Sequence, residues 1–249
     1  IEPLDGMKFE TDPCTVEKIG YKKGKVKEPL LVCGKDKALK CGEEFKVFNY
    51  GFYRKTEKEI KIGYLYPRNS YDLMKAVVNG IYTFAKLGKY HGEKDLYTMA
   101  GLLDLDVKAM VREEYELGDI TDYKRAANKL QKIEGIDLVI ALVPDGMEED
   151  GPYNPFKTIW AKANIPSQMI SMKTAKLFAE EAKEGNKAKN NSRYYLHNII
   201  LGILGKTGGI PWVVKDMPGN VDCFVGLDVA TIAKGIHYPA CSVVFDKYG

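Results

Sequence analysis

An α/β fold, with a mostly parallel sheet and helices on both faces, is predicted by three observations. Strand-like and helix-like patterns alternate from Glu59 onward, the order that strand–helix–strand units impose. Asp137-Leu-Val-Ile-Ala-Leu-Val143 is a nearly unbroken apolar run, the pattern of a parallel strand buried on both sides. Leu73, Val77, Ile81 and Phe84 recur at helical spacing behind Ser70, a residue suited to cap a helix.

Residues 1–58 are rich in Lys, Glu and Gly. Two short apolar pieces, Pro29-Leu-Leu-Val-Cys33 and Phe45-Lys-Val-Phe48, read as strands of an irregular linker. Residues 60–66 form the first regular strand, closed by Pro67, and the Ser70 helix follows. Residues 88–109 lack a clear period and read as partly helical. Residues 111–117 alternate as a strand. Asp119 to Asp122 supply caps for a helix through Ile133, ended near Gly135. After the 137–143 strand, Asn154 reads as an N-cap with Pro155 at the first helical position. Residues 167–172 form the next strand. The run 180–191 is polar and Lys-rich and reads as a solvated connection. A helix over 193–206 places Tyr194, Ile199, Leu201 and Leu204 on its apolar side, and residues 211–214 form a further strand. No internal repeat is found.

The chain has 249 residues and a net charge of +3, too small to argue by itself for nucleic acid. Its 45% hydrophobic and 29% charged residues are ordinary for a globular chain. No apolar run reaches membrane-spanning length and no secretory signal opens the chain. Five cysteines without a C-x-x-C pair suggest reduced thiols and a cytoplasmic setting. The three histidines do not cluster with cysteines at zinc-ligand spacing. Gly205-Lys-Thr207 is not a P-loop, because Ile200 stands where the first Gly is required and the motif follows a helix rather than a strand.

The pieces that carry chemistry lie between Tyr153 and Trp212. Lys157 falls in the expected first turn of a helix, where the dipole favours an acidic residue. A lysine there makes sense beside an anion already favoured by first-turn N–H groups. Gln168 stands eleven residues later. Asn198 and Lys206, eight residues apart, share a helix face. Tyr153 is placed to stack on a base or bond a phosphate oxygen. Taken singly, each has an ordinary explanation, and Lys206 also suits a helix C-terminus followed by Gly.

Tyr-x3-Lys, the Gln, and a Lys ending a helix before Gly-Gly-x-Pro-Trp together resemble the MID domain of Argonaute proteins, prokaryotic or archaeal in type. The resemblance runs from about residue 60 to the C-terminus. It implies a Rossmann-like MID domain over 59–215, preceded by a linker segment over 1–58. It implies that Tyr153, Lys157, Gln168, Asn198 and Lys206 hold the 5′-phosphate and first base of a small guide RNA or DNA, which then pairs with a complementary target strand. Phe224-Val-Gly-Leu-Asp228-Val with Tyr238 to Phe245 is similar to the first β-hairpin of the RNase H-like PIWI domain, so 216–249 is expected to begin that domain. Asp228, disfavoured in mid-strand, would then be one ligand of catalytic Mg²⁺ or Mn²⁺. The other acidic ligands have no counterpart before Gly249, so a binding role is expected of the chain as given. Two alternatives stand beside this: one part of a split or truncated guided endonuclease completed by the remainder of a PIWI domain, and a flavodoxin-like or periplasmic-binding-like module for a small anionic ligand.

Overall fold

The computed structural model describes residues 28–56, 59–87, 103, 105–146, 153–184, 192–215, 223–233 and 236–246. Its centre is a four-stranded parallel sheet. The strands are β3 (Ile60–Pro67), β4 (Leu105–Tyr115), β5 (Leu138–Val143) and β6 (Ser167–Ser171), in the order β4-β3-β5-β6. The chain is thus mixed α/β with a parallel sheet flanked by helices, as predicted.

Alternation along β5 assigns the two faces. Leu138, Ile140 and Leu142 point into one buried cluster, which also holds Tyr64 and Tyr66 of β3 and Ile170 of β6. Helices α2 (Tyr71–Leu87), α5 (Met172–Glu184) and α6 (Ser192–Lys206) cover that face. Val139, Ala141 and Val143 point the other way, into a cluster with Tyr115, Tyr123, Phe156 and Trp160 under α3 (Ile120–Gln131) and α4 (Tyr153–Lys162). Two-sided burial is why β5 reads as an unbroken apolar run. Two buried polar links fix the second face: Tyr115 donates to the Leu142 carbonyl at 2.7 Å, and the Trp160 indole N–H donates to the Tyr123 hydroxyl at 2.6 Å. On the first face, Gly80 lets α2 approach α5, since a Cβ there would stand 2.9 Å from the Phe178 ring.

Local signals explain several boundaries. Asp119 caps α3, its side chain accepting from the Thr121 and Asp122 N–H groups. In α2, Val77, Ile81 and Phe84 are buried at the predicted spacing.

Other expectations are corrected. The Phe45–Phe48 piece is helical: a 3₁₀ turn at Glu44–Lys46 runs into α1 (Val47–Tyr50). The three-residue step from Phe45 to Phe48 suits a helical turn better than a strand. Strand β4 begins at Leu105, inside the stretch expected to be partly helical; most of the rest of that stretch lies outside the described residues. Helix α5 occupies Met172–Glu184, where no helix was expected, and takes the first part of the polar run. Tyr194 is 64% exposed rather than on the apolar side of α6, where the predicted Ile199 and Leu204 are buried together with Leu196, Ile200 and Ile203.

A second, antiparallel sheet joins distant parts of the chain. Strand β1 (Leu30–Val32) pairs with β2 (Ala38–Lys40) on one side and with β7 (Val213–Lys215) on the other. The strand expected at 211–214 therefore belongs to this sheet and not to the parallel one. Residues of the expected linker enter the first core: Leu31, Cys33, Leu39, Val47 and Phe48 are buried in it. The His197 ring of α6 stacks on Phe48 at 4.5 Å. Strands β8 (Cys223–Ala233) and β9 (Ile236–Asp246) form the expected hairpin.

Candidate nucleic-acid interface

Three of the predicted site residues, Lys157, Gln168 and Lys206, come together at the amino end of β6, an edge strand. Two helices flank it there. Helix α4 begins at Tyr153, so Pro155 is its third residue and Lys157 its fifth. The Asn154 cap and the first-turn position of Lys157 are thus corrected. Proline is still tolerated, because the first four helical N–H groups have no acceptor within the helix. The Lys157 ammonium reaches the first residue of β6, donating to the Ser167 carbonyl and to its hydroxyl, the latter at 3.0 Å.

Lys206 arrives from the last residue of α6. It donates to the Gln168 side-chain oxygen at 2.5 Å, while the Gln168 amide nitrogen donates to the Met169 carbonyl at 3.2 Å. Gln168 is therefore oriented as an acceptor for Lys206. A cavity of about 230 Å³ lies over these groups, lined by Lys157, Ala161, Ile165, Pro166, Ser167 and Lys206. It sits beside the amino end of β6 and not beyond the carboxyl ends of the strands, where parallel sheets commonly bind ligands.

The electrostatics of this cavity are those of an anion seat. Burial lowers the Lys157 pKa. Burial, and then the neighbouring Lys157 charge, bring Lys206 down to about 8. Among the described residues no carboxylate lies within ion-pair distance of either. Two half-buried cations held together without an acidic partner oppose each other, and an anion between them relieves both costs.

Gly202 is a contributor that the sequence reading missed. It lies one turn before Lys206 and one turn after Asn198. A Cβ at Gly202 would stand 2.8 Å from the Gln168 oxygen and 3.6 Å from the Lys206 nitrogen. Its bareness lets Gln168 lie against α6. Asn198 is exposed on the same face. Tyr153 opens α4, but its side chain lies outside the described residues, as does that of Asp228. The backbone of Asp228 falls where the β8–β9 register shifts, between Leu227 and Val229. The strict alternation of side chains along a strand is interrupted there. Among the described residues no group of three or more His, Cys, Asp or Glu is arranged to hold a metal ion.

Comparison with known proteins bears on this arrangement. The Piwi domain family matches residues 138–248, from β5 through the hairpin. The Argonaute of Clostridium butyricum, solved with a guide DNA bearing a 5′ deoxycytidine and a 19-mer target DNA, superposes with a TM-score of 0.76 at 45% identity over 94% of this chain. The chain is similar to Argonaute proteins along nearly its whole length. Protein argonaute of Aquifex aeolicus is 32% identical over 129 residues, 48% of this chain. The Kluyveromyces polysporus Argonaute, solved with a guide RNA, shares the fold at a TM-score of 0.53 and 13% identity, covering 84% of this chain and 26% of that one. The chain spans 30% of the Clostridium butyricum protein and 16% of the Aquifex aeolicus protein. Among its described residues no helix is long and apolar enough to cross a membrane.

Proposed function

We propose that the cavity between α4 and α6 holds the 5′-terminal phosphate of a short guide strand, and that this chain is the guide-anchoring part of a nucleic-acid-guided Argonaute in the cytoplasm. The observation that carries the reading is the pair of half-buried ammonium groups, Lys157 and Lys206, facing one cavity with no carboxylate among the described residues that line it. Lys157 and Lys206 neutralise the phosphate. Gln168 aims Lys206 and donates its amide after turning away from the Met169 carbonyl. Asn198 extends the polar stripe along α6, and Tyr153 stacks on the first base. The guide then pairs with a complementary target strand. The Clostridium butyricum relative was solved with a guide DNA and a target DNA, which favours DNA as the first guide to test. Within this reading, residues 1–58 serve as the linker segment, 59–215 as the MID-like unit and 216–249 as the start of PIWI, where Asp228 is one acidic residue of the metal site.

The test is binding of one oligonucleotide with a 5′-phosphate or a 5′-hydroxyl. Charge-assisted hydrogen bonds contribute about 1.5–3 kcal/mol each. Replacing both lysines, as Lys157→Ala with Lys206→Ala, is therefore expected to weaken the phosphorylated strand by at least about tenfold and its hydroxyl twin far less. Equal losses for both strands refute the pocket.

A further inference from the structure

A second cavity, of about 310 Å³, opens at the other end of the same elements. It lies at the carboxyl end of the sheet, between the start of α5 and the start of α6. Lys173 and Lys176 bring two cations. Tyr195, 49% exposed, brings an aromatic face, and Leu177 an apolar wall. Asp145 and Glu180 bring carboxylates. Asp145 already accepts from the Lys173 backbone N–H at 2.7 Å, which ties the loop after β5 to the first turn of α5 and shapes the cavity. Neither lysine has a carboxylate within ion-pair distance among the described residues.

We infer that this cavity is a seat for one further nucleotide. The base stacks between Tyr195 and Leu177, and the phosphate lies toward Lys173 and Lys176. An aromatic platform beside cations is the usual means of holding a single-stranded nucleotide. The carboxylates of Asp145 and Glu180 accept hydrogen bonds and donate none. They favour bases that carry an exocyclic amino group, namely adenine, cytosine and guanine, over thymine and uracil. The seat is distinct from the terminal-phosphate cavity. Tyr195 and Lys206 are eleven residues apart on one helix, about 16 Å along its axis, so one nucleotide does not touch both. The inference rests on the reading of this chain as nucleic-acid binding, but it uses none of the residues assigned to the 5′ end.

The full chain, labelled at leucine methyls, tests it by NMR. The Leu177 methyl signals are expected to move when dAMP is added, through the ring current of the stacked base. The movement is expected to survive Lys157→Ala with Lys206→Ala, which separates this seat from the first. Tyr195→Ala is expected to weaken dAMP by roughly tenfold, Lys173→Ala with Lys176→Ala to weaken it several-fold, and thymidine monophosphate to bind less well than dAMP. Added strands identify the source. A shift with a 5′-phosphorylated guide alone assigns the seat to the guide, and a shift only on adding a target assigns it to the target. Leu177 methyls unmoved by dAMP, by guide and by the guide–target pair overturn the inference, even where the 5′-phosphate discrimination of Lys157 and Lys206 stands. A Leu177 shift in a protein without that discrimination upholds it.

Discussion

The side chain that decides the behaviour of the proposed phosphate pocket is Lys206. Its pKa in the folded chain is about 8, against an ordinary 10.5, because burial and the Lys157 charge both oppose protonation. Between those values the unfolded chain keeps a proton that the folded chain has released. Stability of the unliganded protein therefore rises as pH climbs from about 8 toward 10.5, and the cost of the charged form is fully present below about 8. A terminal phosphate, whose second pKa is about 6, is already a dianion throughout that range. Affinity for a 5′-phosphorylated strand is expected to fall as pH rises through about 8, and Lys206→Arg is expected to flatten the decline, since arginine does not titrate there. Fluorescence anisotropy of one labelled strand across that range checks both, and a flat profile in the unaltered protein counts against the assignment. The lysines and Gln168 were legible through their spacing and order. Ser167 was not, because its role is to receive Lys157 from another element and leaves no mark at its own position.

At the scale of elements, the pocket is an agreement between edge strand β6 and helix α6, and Gly202 sits at their closest approach. Sequence patterns count a glycine inside a helix as a weakness of about 0.5–1 kcal/mol relative to alanine, which is why this position drew no attention. Gly202→Ala is expected to keep or raise the melting temperature while lowering affinity for the phosphorylated strand, because the new Cβ pushes the Gln168 oxygen off Lys206. Calorimetry alongside binding measures the two effects separately; unchanged affinity removes Gly202 from the site. On the opposite face, α4 is anchored by Trp160, fully buried and bonded to Tyr123. Trp160→Ala is expected to cost about 3–5 kcal/mol in urea unfolding. The helices with clear caps or clean apolar spacing, α2 and α3, were readable in advance. Helix α5 was hidden because its apolar residues Met172, Ala175 and Phe178 straddle the end of a strand and the start of a polar run. The partner of β7 was hidden for another reason: it lies at the far end of the chain, and no local pattern announces such a pairing.

For the molecule as a whole, the early segment is part of the structure that supports α6. Phe48 is buried against Phe84 of α2 and His197 of α6. Fully burying each such side chain contributes about 1.5–3 kcal/mol. A chain begun at residue 59 loses Phe48, Val47, Leu39 and Leu31 from that core. It is expected to unfold at a clearly lower urea concentration than the full chain, and to bind a 5′-phosphorylated strand more weakly because α6 carries Lys206. An unchanged midpoint would mean that the early segment is a passive lead-in.

The antiparallel pairing of Leu30 with Lys215 brings positions nearly two hundred residues apart into register. Any longer polypeptide that carries this unit enters and leaves it at neighbouring points, as a ribbon passes through a buckle. A donor and an acceptor dye on those two positions therefore make an optical gauge of the unit: strong energy transfer while the buckle is shut, and its loss when the buckle opens.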